Sequence, residues 1–222
     1  MRVVSLFALL AASGAVQAAS FDCSKAATAT EKLICANARI SDLDEHLGRY
    51  YSAARGELGR GGACLASTQR EWLRKVRNAC KDSACLERAY LQRLAELDPL
   101  QPGMTALKNE DLPNVKSLVW IIPPELDTVA APKPKRNDPL IVVGKLIDDV
   151  ADGDGFVIQD AKSKKFVLLS TMFIDEQNGI GLKSLAHGGS FRYEARGVRE
   201  TSDDGSTHFA AGACTYVFRL PQ

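Results

Sequence analysis

An export signal at the N-terminus constrains the chain most, because it decides the redox state of the six cysteines that follow it. Arg2 supplies a positive charge, residues 3–12 form an apolar core, and Val16-Gln17-Ala18 has the small residues that signal peptidase requires. The apolar segment is shorter than the about 20 residues that cross a bilayer as a helix. We therefore expect residues 1–18 to be a signal peptide cleaved near Ala18, and the protein to be periplasmic or secreted, with no membrane span.

Disulfide bonds are the expected state of the cysteines in an exported protein. The predicted helices bring four of them to one pole: Cys23, Cys35, Cys80 and Cys85. We favour the pair Cys80–Cys85, which only four residues separate, together with Cys23–Cys35, while the crossed pairings stay open. A zinc site is disfavoured, because the sequence lacks the close C-x2-C spacing that is typical of such sites.

Two further cysteines, Cys64 and Cys214, lie outside this cluster. A bond between them would tether the two halves of the chain, and the alternative is that both are free or bonded to other molecules. His208 precedes Cys214 by six residues, which is compatible with a Cys–His nucleophile pair. Export favours a disulfide at Cys214 over that chemistry.

Residues 21–98 have the pattern of a small up-and-down helical bundle. Thr28 and Glu31 fit a capping box, and apolar residues recur at spacings of three and four through four segments. Short connections between helices make neighbours antiparallel. The predicted core comprises Leu43, Leu47, Tyr50, Trp72, Val76, Leu86, Tyr90 and Leu94. The polar side of the second helix is expected to carry His46.

Residues 99–137 are predicted to be a proline-rich linker, because eight of the nine prolines lie between Pro99 and Pro139. Within this linker, Leu118–Ile122 is too apolar for a free segment. We expect it to dock on one of the two domains, and the alternative is an exposed strand that binds a partner.

Residues 138–222 have the pattern of a second, β domain. β-branched and aromatic residues between turn signals predict five strands, at residues 140–147, 155–159, 166–170, 190–198 and 212–220. A helix is expected over residues 175–187, with His187 at its end, and His208 is expected to lie in a loop. Five strands with an inserted helix favour a small OB-like β-barrel. The fold class is therefore α+β, with a disulfide-bonded helical bundle followed by a linker and a barrel.

Charge and motif content exclude several kinds of function. The net charge is +1, and residues 138–222 carry 9 Lys/Arg against 12 Asp/Glu, so we expect no nucleic-acid partner. The acidic turn that contains Asp148, Asp149, Asp152 and Asp154 does not fit an EF-hand, because Val150 and Gln159 occupy ligand positions. Catalytic and phosphate-binding motifs are missing from the sequence. We expect a protein that is not an enzyme and has no cofactor and no metal.

A set of spaced motifs carries a family resemblance. They are Phe21-Asp22-Cys23, Glu31-Lys32-x-Ile34-Cys35, Leu43-Asp44, Tyr50, Gln69-Arg70-x-Trp72-Leu73, Arg77-x-x-Cys80, Cys85-Leu86 and Tyr90-x-x-Arg93-x-x-x-Leu97. In order and spacing, residues 21–97 resemble the LprI-type lysozyme-inhibitor N-terminal domain, a family of exported helical modules. The resemblance implies a cell-envelope protein, with lysozyme inhibition as the activity attached to the family name.

Together these features predict an exported, non-enzymatic binding protein, and lysozyme inhibition by protein–protein contact is the specific form. Lysozyme is basic and has a carboxylate-lined cleft, so the candidate contacts are the acidic turn and the Arg74–Arg77 side of the third helix. The alternative is an envelope ligand-binding or assembly protein whose barrel recognises a glycan or a protein.

Overall fold

Helices come first along the chain and strands follow. The computed structural model describes residues 19–100, 111–124, 138–149, 155–170 and 190–222. The predicted signal peptide and the predicted helix 175–187 lie outside these residues. The described helices are α1 (Ala29–Ala36), α2 (Ala38–Glu57), α3 (Gly62–Lys75) and α4 (Ser83–Leu97). The described strands are β1 (Ser117–Ile122), β2 (Pro139–Asp149), β3 (Gly155–Asp160), β4 (Phe166–Ser170), β5 (Tyr193–Thr201), β6 (Thr207–Phe209) and β7 (Thr215–Arg219).

Polar side chains fix where three of the helices begin. Thr28 and Glu31 form the predicted capping box at α1, which confirms that interpretation of the sequence. The Asn37 side chain accepts a hydrogen bond from the Ile40 amide at the start of α2, and the Asp82 side chain does the same for the Cys85 amide in α4. Each cap satisfies backbone donors that the first helical turn leaves without partners.

Helix α2 lies at the centre of the bundle and contacts each of the other three helices. Its apolar stripe, which includes Leu43, Leu47 and Tyr50, is buried as predicted. The prediction is wrong at Val76, whose side chain is 40% exposed. Helix α3 ends at Lys75 and a 3-10 turn begins at Arg77, so the helical spacing that placed Val76 in the core no longer applies there. None of the helices in the described ranges combines the length and apolar character of a membrane span.

His46 also differs from its prediction, because it is buried instead of lying on the polar side of α2. Its ring stacks at a tilt on Tyr50, and Arg49 donates a hydrogen bond to its Nδ1 atom. The other ring nitrogen, Nε2, has no hydrogen-bond partner among the described residues. Burial, and next the positive charge of Arg49, lower the pKa of His46.

Five strands form a closed barrel, with the pairing order β5-β2-β3-β4-β6 and back to β5. Strand β6 closes the ring, because it pairs antiparallel with β5 and meets β4 through a parallel bridge between His208 and Leu168. The neighbouring strands β2 and β3 approach so closely that a Cβ atom on Gly144 would lie 1.7 Å from the carbonyl oxygen of Gln159. Only glycine fits at that point.

The predicted number of barrel strands is right, but one of the five is misassigned. The strand at residues 207–209, which the sequence analysis placed in a loop with His208, belongs to the ring. The C-terminal strand β7 pairs with β5 and β1 and so extends the sheet beyond the ring. A three-residue strand has too short an alternation to predict, and its pairing depends on residues far away in sequence.

Strand β1 joins the two domains, although it lies in the segment predicted to be a linker. Leu118 and Ile121 are buried in the helical core, whereas Val119 and Trp120 are buried in the barrel core. A β-bulge between Leu118 and Trp120 shifts the register, which explains why residues 119 and 120 share one face. The apolar segment therefore docks on both domains, where the sequence analysis expected one.

Further contacts hold the domains together around β1. Arg60 donates a hydrogen bond to the Pro124 carbonyl at 2.6 Å, and the Tyr216 hydroxyl donates one to the Cys64 carbonyl at 3.3 Å. The three disulfides are Cys23–Cys35, Cys80–Cys85 and Cys64–Cys214. The first two are the pairings that the sequence favours. The third links α3 to the residue before β7 and so settles the open question about Cys64 and Cys214 in favour of a bridge between domains.

Replacing Leu118 with alanine tests the role of β1. Leu118 is completely buried, and we expect the Leu118→Ala variant to lose about 3 kcal/mol of unfolding free energy in urea titrations. Ile141→Ala is the control, because Ile141 is a 58% exposed residue of β2 and should change the free energy by about 0.5 kcal/mol or less. Equal losses of unfolding free energy in the two variants would contradict the role of β1 in the helical core.

The buried His46 predicts a pH dependence of stability. Because its pKa is below the ordinary value of 6.5 in the folded protein, the unfolded chain takes up a proton first as the pH falls. Stability should decline from about pH 7 to about pH 5, above the range in which carboxylates titrate. We expect His46→Phe to flatten this decline in thermal melts, and an unchanged slope would show that His46 does not cause it.

Candidate functional site: the interdomain groove

A groove of about 650 Å³ runs between the helical domain and the barrel. One wall comes from α3 and α4, and the other comes from the outer faces of β5 and β7. Strand alternation places Glu194, Arg196 and Val198 of β5 on this outer face, because Tyr193 and Ala195 point into the barrel core. The groove exists because β1 and the Cys64–Cys214 bond hold the two walls next to each other.

One exposed apolar side chain lines this groove, and a second lies one strand beyond its lining. The 40% exposed Val76 lines it at the end of α3. Ile141 is 58% exposed and lies directly across the β2–β5 pairing from Arg196, which also lines the groove. Large apolar side chains are costly to leave in water, and when they gather around one concave surface they are typical of a protein-binding site.

Two cations flank an aromatic ring on the barrel wall. The Lys116 Nζ atom lies 4.8 Å from the centre of the Phe218 ring, and the Arg196 guanidinium lies 5.5 Å from it. Both cations also contact the same oxygen of Glu194, with Lys116 at 3.0 Å. Burial opposes ionisation of Glu194, but the hydrogen bonds from Lys116 and Arg196 outweigh it and lower the pKa of Glu194. The cluster thus keeps one positive charge in excess.

Arg93 supports the helical wall from within. It is 2% exposed, and its Nε and Nη2 atoms donate hydrogen bonds of 3.0 Å to Gln69 and Thr68. Its Nη1 atom lies 3.1 Å from the Glu96 carboxylate. A guanidinium can be buried at low cost only when its donors are satisfied in this way. Arg93 therefore fixes the relative position of α3 and α4, which carry that wall.

A second buried polar cluster centres on Asp44 of α2. The Tyr90 hydroxyl donates to Asp44 at 2.6 Å, and the amide of Ser20 donates to it at 2.9 Å. Arg77 lies 3.9 Å from the same carboxylate, and its side chain is only 15% exposed. Burial and the nearby Asp44 charge raise the pKa of Tyr90 far above its ordinary value. Arg77 is thus held inside the helical domain.

The residues predicted to contact a partner fall in different situations. Arg74 is exposed on α3, one residue before the groove-lining Lys75, whereas Arg77 is turned towards Asp44. Asp148 and Asp149 end β2 and pair with Phe156 and Gly155. Asp152 and Asp154 lie outside the described residues.

Cys214 forms a disulfide, as export led us to expect, so it has no thiol that could act as a nucleophile with His208. His208 contacts the Glu200 carboxylate at 3.6 Å and the Ser202 hydroxyl at 3.4 Å. Across the described ranges, no group of three or more metal-ligating side chains comes together. What the groove itself offers is apolar surface and charge, which suits binding.

The groove residues Lys116, Arg196 and Phe218, with Glu194 beside them, were not predictable as one site from the sequence. The alternation in residues 190–198 did place Glu194 and Arg196 on one face. It carried no sign that Phe218 and Lys116 would be beside them, because these residues belong to strands paired at long range.

Comparison with curated proteins shows similarity to Lipoprotein LprI of Mycobacterium tuberculosis and of Mycobacterium bovis, with 32% identity over 88 residues in each case. The match covers 38% of this chain and 43% of each relative, so the chain spans less than half the length of the curated relatives it matches. No protein-family model and no solved structure matches the chain. The chain thus carries an LprI-like domain, which confirms the resemblance found in its motifs.

The similarity and the disulfides agree on the location of the protein. Each of the three disulfides requires an oxidising compartment to form and persist. The relatives are lipoproteins by name. Both observations indicate an extracytoplasmic location.

Removing the Arg93 side chain tests the support of the helical wall. We expect Arg93→Ala to lose about 3 kcal/mol of unfolding free energy, because Gln69 and Thr68 lose hydrogen bonds and the partly exposed Glu96 loses its ion pair. The control is Arg88→Ala on the exposed side of the same helix, with a change of about 0.5 kcal/mol or less. Urea titration measures both, and a small loss at Arg93 would contradict its role.

Proposed function

We propose that this is an exported protein that binds another protein in its interdomain groove, and that lysozyme inhibition is the specific form of this activity. The observation that carries the proposal is the exposure of Val76 in the groove, together with Ile141, which lies across the strand pairing from the groove-lining Arg196. Apolar side chains surrounded by charged ones are the usual composition of a protein–protein interface. The LprI-like domain supports lysozyme as the partner, since inhibition of lysozyme is the activity that the family resemblance implies.

The charges around the groove suit the chemistry of a glycosidase cleft. Such enzymes act with two carboxyl groups that flank the scissile bond. Arg74, Lys116 and Arg196 lie in or beside the groove and offer positive charge to these carboxylates. Lys75 is paired with Glu71, which also lines the groove. Arg77 is held by Asp44, so we assign the helical contact to Arg74. The acidic residues Asp148, Asp149, Asp152 and Asp154 would contact the basic surface outside the cleft.

The rigidity of the groove favours inhibition. The two walls are held by a shared strand and a disulfide, so they lose little conformational freedom when a partner binds. A surface that is ordered before it binds loses less entropy, which increases affinity. A pre-formed surface is therefore well suited to blocking a cleft.

The alternative is an envelope protein whose barrel, of OB-like type, recognises a glycan or a protein. A cavity at one end of the barrel is lined by residues that include Ile122, Leu168, His208 and Phe209, and its volume is about 210 Å³. Sites for small ligands usually measure about 300–1,000 Å³. The barrel cavity falls below that range, which disfavours a ligand site there, so we favour the groove as the binding surface.

The test is an activity assay with purified lysozyme and soluble peptidoglycan fragments. We expect the protein to inhibit hydrolysis, and Val76→Asp to raise the half-inhibitory concentration about tenfold or more, because an unpaired carboxylate is costly to bury in an interface. Ala84→Asp is the control, since it adds the same charge at an exposed residue of α4 outside the groove. Circular dichroism and the mass of the Cys64–Cys214 peptide check folding.

Two results would contradict the proposal, and they differ in what they reject. A wild-type protein that leaves hydrolysis unchanged would reject lysozyme inhibition. Inhibition that Val76→Asp and Ala84→Asp affect equally would keep lysozyme as the partner and reject the groove as the binding surface.

A further inference from the structure

A basic and apolar surface lies at the β3–β4 hairpin, and none of its residues lines the groove. We call it the hairpin patch, and it comprises Lys145, Lys162, Lys164, Lys165 and Phe166, all of them exposed. In the described ranges no salt bridge joins any of the four lysines to an acidic side chain. The patch is strongly positive although residues 138–222 as a whole carry an excess of acidic residues.

The turn that carries three of these lysines is ordered by Asp160. Its carboxylate accepts hydrogen bonds from the amide and the hydroxyl of Ser163, at 2.7 and 2.5 Å. The Lys164 amide donates to the Asp160 carbonyl at 2.9 Å, and Lys164 adopts a positive φ of 61°. The hydroxyl and amide of Ser163 lower the pKa of Asp160. The only acidic side chain in the turn is thus bonded to Ser163, and the lysine side chains extend into solvent.

Phe166 is the most exposed large apolar side chain in the described residues, at 59%. It starts β4 on the outer face of the barrel, since the next residue, Val167, points into the barrel core. Across the strands it pairs with Gln159, which pairs in turn with Lys145. An exposed aromatic ring therefore lies on the same sheet face as one lysine and next to a turn that carries three more.

We propose that the hairpin patch docks the protein on the surface of an anionic phospholipid bilayer. Lysines near such a surface are attracted by its negative potential, and an exposed aromatic ring enters the boundary between headgroups and acyl chains. The lysines have long side chains, none of them in a salt bridge with a residue that the structure describes, and they can follow mobile headgroups. Binding of this kind is peripheral and needs no membrane-spanning helix.

Protection of a strand edge is the other physical explanation of lysines at such a place. Lysines on edge strands discourage pairing with other sheets. That explanation accounts for the charges but leaves the exposed Phe166 unexplained, because an apolar aromatic ring at an edge promotes association. A bilayer surface explains the lysines and the phenylalanine together.

The experiment is sedimentation of the full protein with lipid vesicles. We expect binding to vesicles of phosphatidylcholine with phosphatidylglycerol, weaker binding at high salt, and no binding to phosphatidylcholine alone. Lys162→Glu with Lys164→Glu should weaken binding about twenty-fold or more, because each lysine near an anionic surface contributes about fivefold. Phe166→Ser should weaken it about fivefold or more, and Phe166→Leu should retain most of it.

The matched control is Lys32→Glu with Lys81→Glu, which makes the same change of net charge at exposed residues of the helical domain. Near-ultraviolet circular dichroism and the Cys64–Cys214 mass check that each variant is folded. The proposal is overturned if the wild-type protein does not sediment with the anionic vesicles. It is also overturned if the hairpin and control variants bind equally, or if vesicles without phosphatidylglycerol bind as well.

Discussion

The packing of strand β1 into two hydrophobic cores is the interaction on which the rest of the structure depends. Leu118 and Ile121 complete the helical core, and Val119 and Trp120 complete the barrel core. Because one six-residue strand serves both domains, neither core is complete without it. The Cys64–Cys214 bond adds a covalent link at the same interface. The groove between the domains has a defined shape only because of these connections.

The residues that carry the LprI resemblance explain the fold better than they explain binding. Asp44, Tyr90 and Arg77 contact one another in the helical interior, and Gln69 is a partner of the buried Arg93. Side chains with these internal roles are needed for the helical domain to fold. The surface proposed to bind a partner uses other residues, which include Val76, Ile141 and Arg196. The similarity to LprI therefore supports the fold of the helical domain directly. Lysozyme inhibition by this protein is a proposal.

Local patterns in the sequence predicted the helical domain well. Caps at Thr28 and Asp82 and the apolar stripe of α2 depend on neighbours within a few residues, so the sequence contains the whole signal. Two predictions were wrong there. Val76 is exposed because α3 ends before it, and His46 is buried because its ring stacks on Tyr50. Barrel closure and the interdomain groove were not predictable in this way. The short strand β6, the extra pairing of β7 with β1 and the groove walls all depend on contacts between residues distant in sequence.

The most direct test of the shared-strand account uses the two tryptophans of the chain, Trp72 in the helical core and Trp120 in the barrel core. Trp120→Phe leaves a fluorescence signal from the helical domain, and Trp72→Phe leaves one from the barrel. In each variant, urea unfolding followed by the remaining tryptophan is compared with unfolding followed by far-ultraviolet circular dichroism. The account predicts that the two transitions coincide in both variants, because the domains unfold as one unit. Separate midpoints for the tryptophan and the circular dichroism signals would show independent domains and contradict it.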